Sequence, residues 1–421
     1  MANCSFHFYD MISLYVTYLL DNQTRRPRPG GDSGRSEGTK QVGEEPTTKG
    51  AQTSGRDLRI DVLRGLALVT IFIDHAPKNP WASYTIGKFG FSDAAEAFVL
   101  MSGIAAGLAY SRPFFGDNSK QACIKIWRRA GVIYGAHIFA TVAVIGLLLA
   151  LSLIWPLMPL IKELNVAPFL QHPIQATTRL FLLTYQLGYF NILPLYTALL
   201  LVLPLFLLVG RWRLDALLGL SAGLWLVTHL IGLYVPGWPS GARWFLNPFG
   251  WQLLFVFGLM VGIRKKQGRM LVPFAGWLYA ACIAFVIAGC WWQLSGRPAL
   301  PRVSLMPGFV YDMTKDNLAF LRLLHILALG YVIAHSKWLS WLLQQRFFIL
   351  FAVLGQVSLT TFVTGSLIAA FLHMLRVVVP QDVFLDTVLL LLGVAIQYGL
   401  ARRALNAKKT ARLNKRTLSA A

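Results

Sequence analysis

The chain has 421 residues, of which 56% are hydrophobic, 13% aromatic and only 14% charged, and its mean hydropathy is +0.55. These values exclude an ordinary soluble domain and point to an all-α, polytopic transmembrane protein. The formal net charge of +21 would suit a nucleic-acid binder, but the basic residues fall in short clusters between apolar runs. That is the pattern of the positive-inside rule, so the expected partner is membrane lipid and not nucleic acid. The cysteines Cys4, Cys123, Cys282 and Cys290 show no spacing of a disulfide framework, a redox motif or a metal site.

Residues 5–20 contain FHFYDMISLYVTYLL, an apolar run interrupted by Asp10. It lacks a basic n-region and a small-residue cleavage site, which argues against a signal peptide; an interfacial anchor and an extra span both remain open. From Asn22 to about Ser54 the chain is rich in Gly, Arg, Thr, Glu and Gln and poor in large apolar side chains, the composition of a disordered tail. Three regions are therefore expected: a poorly structured tail at 1–55, a membrane-embedded domain at 56–404 and a basic cytoplasmic tail at 405–421.

Within the central region about ten apolar segments are long enough to span a bilayer. They run approximately 59–77, 91–111, 130–154, 192–209, 214–234, 249–264, 273–294, 319–335, 348–374 and 384–402. A further piece at 178–190 is too short to cross. With both termini cytoplasmic, roughly 28 of the 39 basic residues lie on the cytoplasmic side and about ten on the other. An even number of spans with both ends inside is the consistent solution.

The stretch Arg59–Gly103 carries charge into apolar helices, and ionisable residues at membrane depth are functional candidates by default. Ten residues separate Arg64 from His75. Eleven steps of about 100° bring both to one helical face, roughly 16 Å apart along the axis. Asp61 stands one turn before Arg64, and Pro77 and Pro80 should end the helix near His75. The next helix opens with Asp93 and Glu96, where Asp93 also suits a plain N-cap. The expected orientation sets His75, Asp93 and Glu96 near the outer face, at the depth of Asn247, Gln252, Arg322 and His325, whereas Arg64 falls near the cytoplasmic face. His137, His229 and His373 read as satisfied or interfacial histidines, and GIAAG at 103–107 as a close-packing site between helices. Outer loops near 155–190, 235–248 and 295–318 are rich in Trp, Tyr, Pro and Asn, which suits a membrane interface and also stacking on sugar rings.

Several blocks carry a family resemblance: RDLRIDVLRGLALVTIFIDHAPKN, GFSDAAEAFVLMSG, NILPLY, WFLNPFGWQLLFVFG, NLAFLRLLHILALGY and LGQVSLTTFVTGS. In these blocks the chain resembles the OpgC family of membrane acyltransferases, the succinyltransferases of osmoregulated periplasmic glucans, within the wider membrane acyltransferase-3 group. Arg64 and His75 match that group's spacing of an Arg, ten residues and a His. The resemblance implies a multi-pass protein of the bacterial inner membrane. It implies transfer of an acyl group, succinyl first, from cytoplasmic acyl-CoA as co-substrate to a hydroxyl of a periplasmic glucan, with no tightly bound cofactor. His75 would then be the base, Glu96 or Asp93 its orienting carboxylate, Arg64 with Arg128 and Arg129 the cations for CoA phosphates, and Arg322 the first choice for a succinyl carboxylate. His325, Asn247 and Gln252 would complete the substrate site. Direct attack on the thioester and a transient acyl-enzyme are both open. A transporter or flippase for an anionic or sugar substrate is the competing class, although the chain shows no internal repeat of the kind such proteins use.

Overall fold

The computed structural model describes residues 57–188, 190–239, 241–298 and 307–420. The expected N-terminal tail and the apolar run at 5–20 lie outside the described residues. Arg59–Leu405 form one compact unit, and it holds every residue of the site below; of the other unit, Met1–Leu58 with Asn406–Ala421, the described part is mostly the helical continuation beyond Leu405.

The chain is helical, with no β-strand among the described residues. The principal helices are α1 Leu58–His75, α2 Ala94–Phe115, α3 Ser119–Leu151, α4 Ile192–Trp212, α5 Leu214–Ile231, α6 Pro248–Lys266, α7 Gly276–Leu294, α8 Phe320–His335, α9 Ile349–Gln356, α10 Ser358–Val378 and α11 Val383–Ala420. Seven of them, α2, α3, α4, α5, α7, α10 and α11, are long and apolar enough to cross a membrane. The other expected spans fall short for visible reasons. Helix α1 carries Asp61, Arg64 and Asp74 in 18 residues, α6 ends in Arg264, Lys265 and Lys266, and α8 has only 16 residues. The segment expected at 348–374 is broken at Val357 into α9 and α10, and the Thr361 hydroxyl donates to the Leu354 carbonyl at 2.9 Å across the break.

Two glycine joints set the geometry around α1 and α2. A Cβ at Gly103 or Gly107 of α2 would run into the backbone of α6, and one at Gly258 or Gly262 of α6 would run into the backbone of α2. Both helices thus carry glycines four residues apart on the contact face, the small-residue pattern that lets membrane helices approach closely. The close-packing reading of GIAAG holds. In the second joint, Gly65 of α1 faces the Phe351 carbonyl and Gly355 of α9 faces the Asp61 carbonyl. Arg64 lies in this joint, 9% exposed. Its guanidinium donates to the carbonyls of Met101 at 3.1 Å and Gly355 at 3.4 Å. One cation thereby links α1, α2 and α9.

Helix α1 ends at His75, as the prolines at 77 and 80 require. Asn79 closes that end: its amide donates to the carbonyls of Ile73 at 2.9 Å and Ala76 at 2.6 Å, and its oxygen accepts from the Ala82 amide at 3.0 Å. Carbonyls at a helix C-terminus lack intrahelical donors, and a side-chain amide that satisfies them fixes the exit of the chain.

Candidate active site

At the His75 end of α1 the protein forms a half-open chamber of about 710 Å³. Small-molecule sites occupy about 300–1,000 Å³, so the space suits one substrate-sized group and part of a second. Residues of α1, the 82–95 connection, α7 and the loop before α8 meet on its wall.

His75 is on that wall, half-buried, with Nδ1 2.6 Å from the Ile71 carbonyl one turn back. A carbonyl only accepts, so this contact is favourable with the proton on Nδ1, which leaves the lone pair of a neutral ring on Nε2. The tautomer is the one a general base needs.

Asp93 and Glu96 form a reciprocal capping box at the start of α2. The Asp93 carboxylate accepts from the Ala95 amide at 2.8 Å, and Glu96 accepts from the Asp93 amide at 2.9 Å. The N-cap reading of Asp93 is therefore correct, and it is half of the residue's role. Arg322 of α8 reaches across to donate through Nε to Glu96 at 2.7 Å and through Nη2 to Asp93 at 3.1 Å, and Lys315 donates to the same Asp93 oxygen at 2.7 Å. Two carboxylates and two cations thus neutralise one another around a Glu96 side chain that is fully buried. Burial by itself raises the Asp93 carboxyl, but Lys315, the contact with Glu96 and Arg322 together outweigh it and hold the group below the usual carboxylate range. Glu96 serves Arg322 and the Asp93 backbone in this structure, so the carboxylates expected to orient His75 are engaged with cations.

The loop carrying Lys315 is held from behind. Asn247 is fully buried; its amide donates to Leu233 at 2.7 Å and to Asn317 at 2.8 Å, and its own backbone N–H donates to the Asp316 carbonyl at 2.9 Å. The Trp251 indole donates to the carbonyls of Lys315 and Asp316, both at 3.0 Å, and the Trp225 indole to Leu318 at 3.0 Å. Leu318 adopts a φ of +57°, a left-handed conformation unfavourable for a branched side chain, which such surrounding bonds can sustain. Gln252 hydrogen-bonds the Ser221 hydroxyl and donates to the Ser221 carbonyl at 2.8 Å. The two amides expected at the substrate are instead supports: neither is on the chamber wall.

His325 lies one turn from Arg322 and is 2% exposed. Its Nδ1 is 2.7 Å from the Ser92 hydroxyl, and Phe91 and Phe285 pack around the ring. It stands behind the wall that Ser92 lines. Arg64 belongs to the α1–α2–α9 joint and is not on the wall. His229 is bound through Nδ1 to the Trp225 carbonyl at 2.9 Å, and His373 pairs with Glu163 at 3.2 Å. His137 departs from the expected satisfied histidine: it is fully buried, and neither ring nitrogen has a hydrogen-bond partner among the described residues.

The wall also carries residues that no motif singled out: Asp74, Lys88, Trp292, Gln293, Arg297 and Lys315. Asp74 was detectable as the neighbour of His75 on the last turn of α1, and Trp292 as part of a Trp pair at a helix end. The three cations come from connections without periodicity, where only the fold brings them to one chamber.

Helices of membrane-spanning length around a chamber lined by an imidazole, carboxylates and cations define a polytopic membrane protein with a chemically equipped internal site. The family described as OpgC protein matches residues 56–409, and the chain belongs to that family, with a membrane acyltransferase-type role. No curated protein and no solved structure matches the chain.

Proposed function

We propose that the protein is an O-acyltransferase that moves a succinyl group from cytoplasmic succinyl-CoA to a hydroxyl of a periplasmic glucan. The observation that carries this reading is the chamber itself: His75, with its lone pair on Nε2, shares one wall with a cation cluster and with Trp292. The basic clusters support both termini in the cytoplasm and the chamber on the outer side of the bacterial inner membrane.

The chemistry follows from the side chains. A sugar hydroxyl is a weak nucleophile until a base removes its proton, and an imidazole does so near neutral pH. His75 Nε2 takes that proton as the sugar oxygen attacks the thioester carbonyl. The tetrahedral intermediate collapses with cleavage of the C–S bond, the imidazolium returns the proton to the leaving sulfur, and a sugar ester and CoA thiol result. Trp292 offers an apolar face for a sugar ring, and Thr85, Asp74 and Gln293 on the same wall offer hydrogen-bond partners for its hydroxyls. The Asp93–Glu96–Arg322–Lys315 cluster acts as a rigid floor that ties α2, α8 and the loop before α8 to His75's surroundings.

The test is mass spectrometry of periplasmic glucans from cells lacking the protein, complemented with wild type or with His75→Ala inserted at equal level. Succinyl increments that return with wild type alone support the reading. If His75→Ala restores them fully, His75 is not the base; if wild type restores none, transport of an envelope substrate becomes the leading alternative.

A further inference from the structure

The chamber wall carries four cations, Lys88, Arg297, Lys315 and Arg322, against two carboxylates, Asp74 and Asp93. Their engagements differ. Arg322 is bound to Glu96 and Asp93, and Lys315 to Asp93, so both are already matched by protein carboxylates. Lys88 and Arg297 form no close ion pair among the described residues and both are exposed, Lys88 lying within electrostatic reach of Asp74. Arg297 is nevertheless positioned. Its Nε donates to the Gln293 side chain at 3.2 Å, and the Trp292 indole donates to the Pro298 carbonyl at 2.8 Å, fixing the turn that presents it. Lys88 is presented by a short turn in which its N–H donates to the Thr85 carbonyl at 2.9 Å. Gln293, Trp292 and Thr85 are wall residues too, so each cation is anchored through the chamber lining.

From this we propose that Arg297, with Lys88, is the subsite for the free carboxylate of a dicarboxylic acyl group, and selects such a donor over a neutral acyl group. The inference rests on the acyltransferase reading above. An acyl chain entering from the cytoplasmic side presents its far end first, and for succinyl that end is an anion that meets the outer cations while the thioester trails toward His75. A guanidinium recognises a carboxylate with two parallel donors, and an ammonium adds a second point of charge. Asp74 faces the same space and opposes an anion; its carboxylate is hydrogen-bonded to Thr85 and lies within electrostatic reach of Lys88, so Arg297 carries the larger share of the subsite. The sequence-level choice of Arg322 for the carboxylate gives way because Arg322 is saturated by Glu96 and Asp93.

The experiment compares full-length protein in detergent or nanodiscs with succinyl-CoA and acetyl-CoA as donors, and glucan extracted from cells lacking the protein as acceptor. The ratio of the two kcat/KM values is the readout. In Lys88→Gln/Arg297→Gln the ratio of succinyl to acetyl transfer is expected to fall about 10- to 100-fold, the worth of hydrogen bonds to a charged group. The charge-keeping pair Lys88→Arg/Arg297→Lys should retain most of the preference, which separates lost charge from a misfolded rim. An unchanged ratio in the neutral double variant, or an equal loss with both donors that the charge-keeping pair shares, overturns the inference while the His75 reading stands. A wild type that transfers neither group overturns that reading, and this subsite with it.

Discussion

At its Arg64 end α1 is closed in by backbone. Gly65 and Gly355 allow α1 and α9 to touch, and the Arg64 guanidinium is bound to carbonyls of two neighbouring helices. At its His75 end the same helix meets open space, with a chamber of about 710 Å³ and a ring nitrogen fixed by Ile71. Both residues are costly to place in an apolar helix, and the cost is offset differently. Arg64 donates to carbonyls of two neighbouring helices and ties three helices together, whereas His75 lies on the wall of a cavity. Closure by backbone leaves a polar residue at membrane depth a structural role, whereas an adjoining cavity leaves room for a chemical one.

Substitutions at the two ends should separate these roles. The largest effect is expected for His75→Gln, with transfer slowed about 10²–10⁴-fold, the usual worth of a general base, and an unaltered melting temperature. A variant equally inactive but also strongly destabilised would place His75 with Arg64 as a packing residue. Next comes Arg322→Met, which leaves a fully buried Glu96 without its cation. Removing one partner of such a pair costs about 3–5 kcal/mol, so thermal unfolding in detergent should show a large drop; a neutral result would mean that the cluster contributes little to holding the wall. Gly65→Val at the closed end should destabilise by about 1–3 kcal/mol, because its side chain meets the Phe351 backbone and α9 must shift. The smallest effect is expected for Arg64→Lys. An ammonium keeps the charge but reaches the Met101 and Gly355 carbonyls less well, a loss of about 1 kcal/mol, read as a small melting shift with donor KM unaltered. A large rise in KM for acyl-CoA in this variant would return Arg64 to the donor site.

Helical class, membrane character, the end of α1 at His75 and the close approach at Gly103 and Gly107 were all determined by the sequence alone. Each rests on local chemistry: apolar run length, proline's missing N–H, and the absence of a Cβ. Asp93 as an N-cap was likewise legible in the sequence, whereas the reciprocal bond from Glu96 emerged only in the structure. What only the tertiary structure decided is which charges meet. Lys315 lies more than two hundred residues from Asp93 in the chain, in a loop without periodicity, and the Asn247–Asn317 and Trp251 hydrogen bonds deliver it to the chamber. The same packing turned Asn247 and Gln252 from candidate ligands into clamps, and matched Arg322 to two carboxylates before any substrate could claim it. Helical periodicity sets which face a residue occupies. Only the packing of one helix against another sets whether that face meets backbone, an opposite charge or an open chamber.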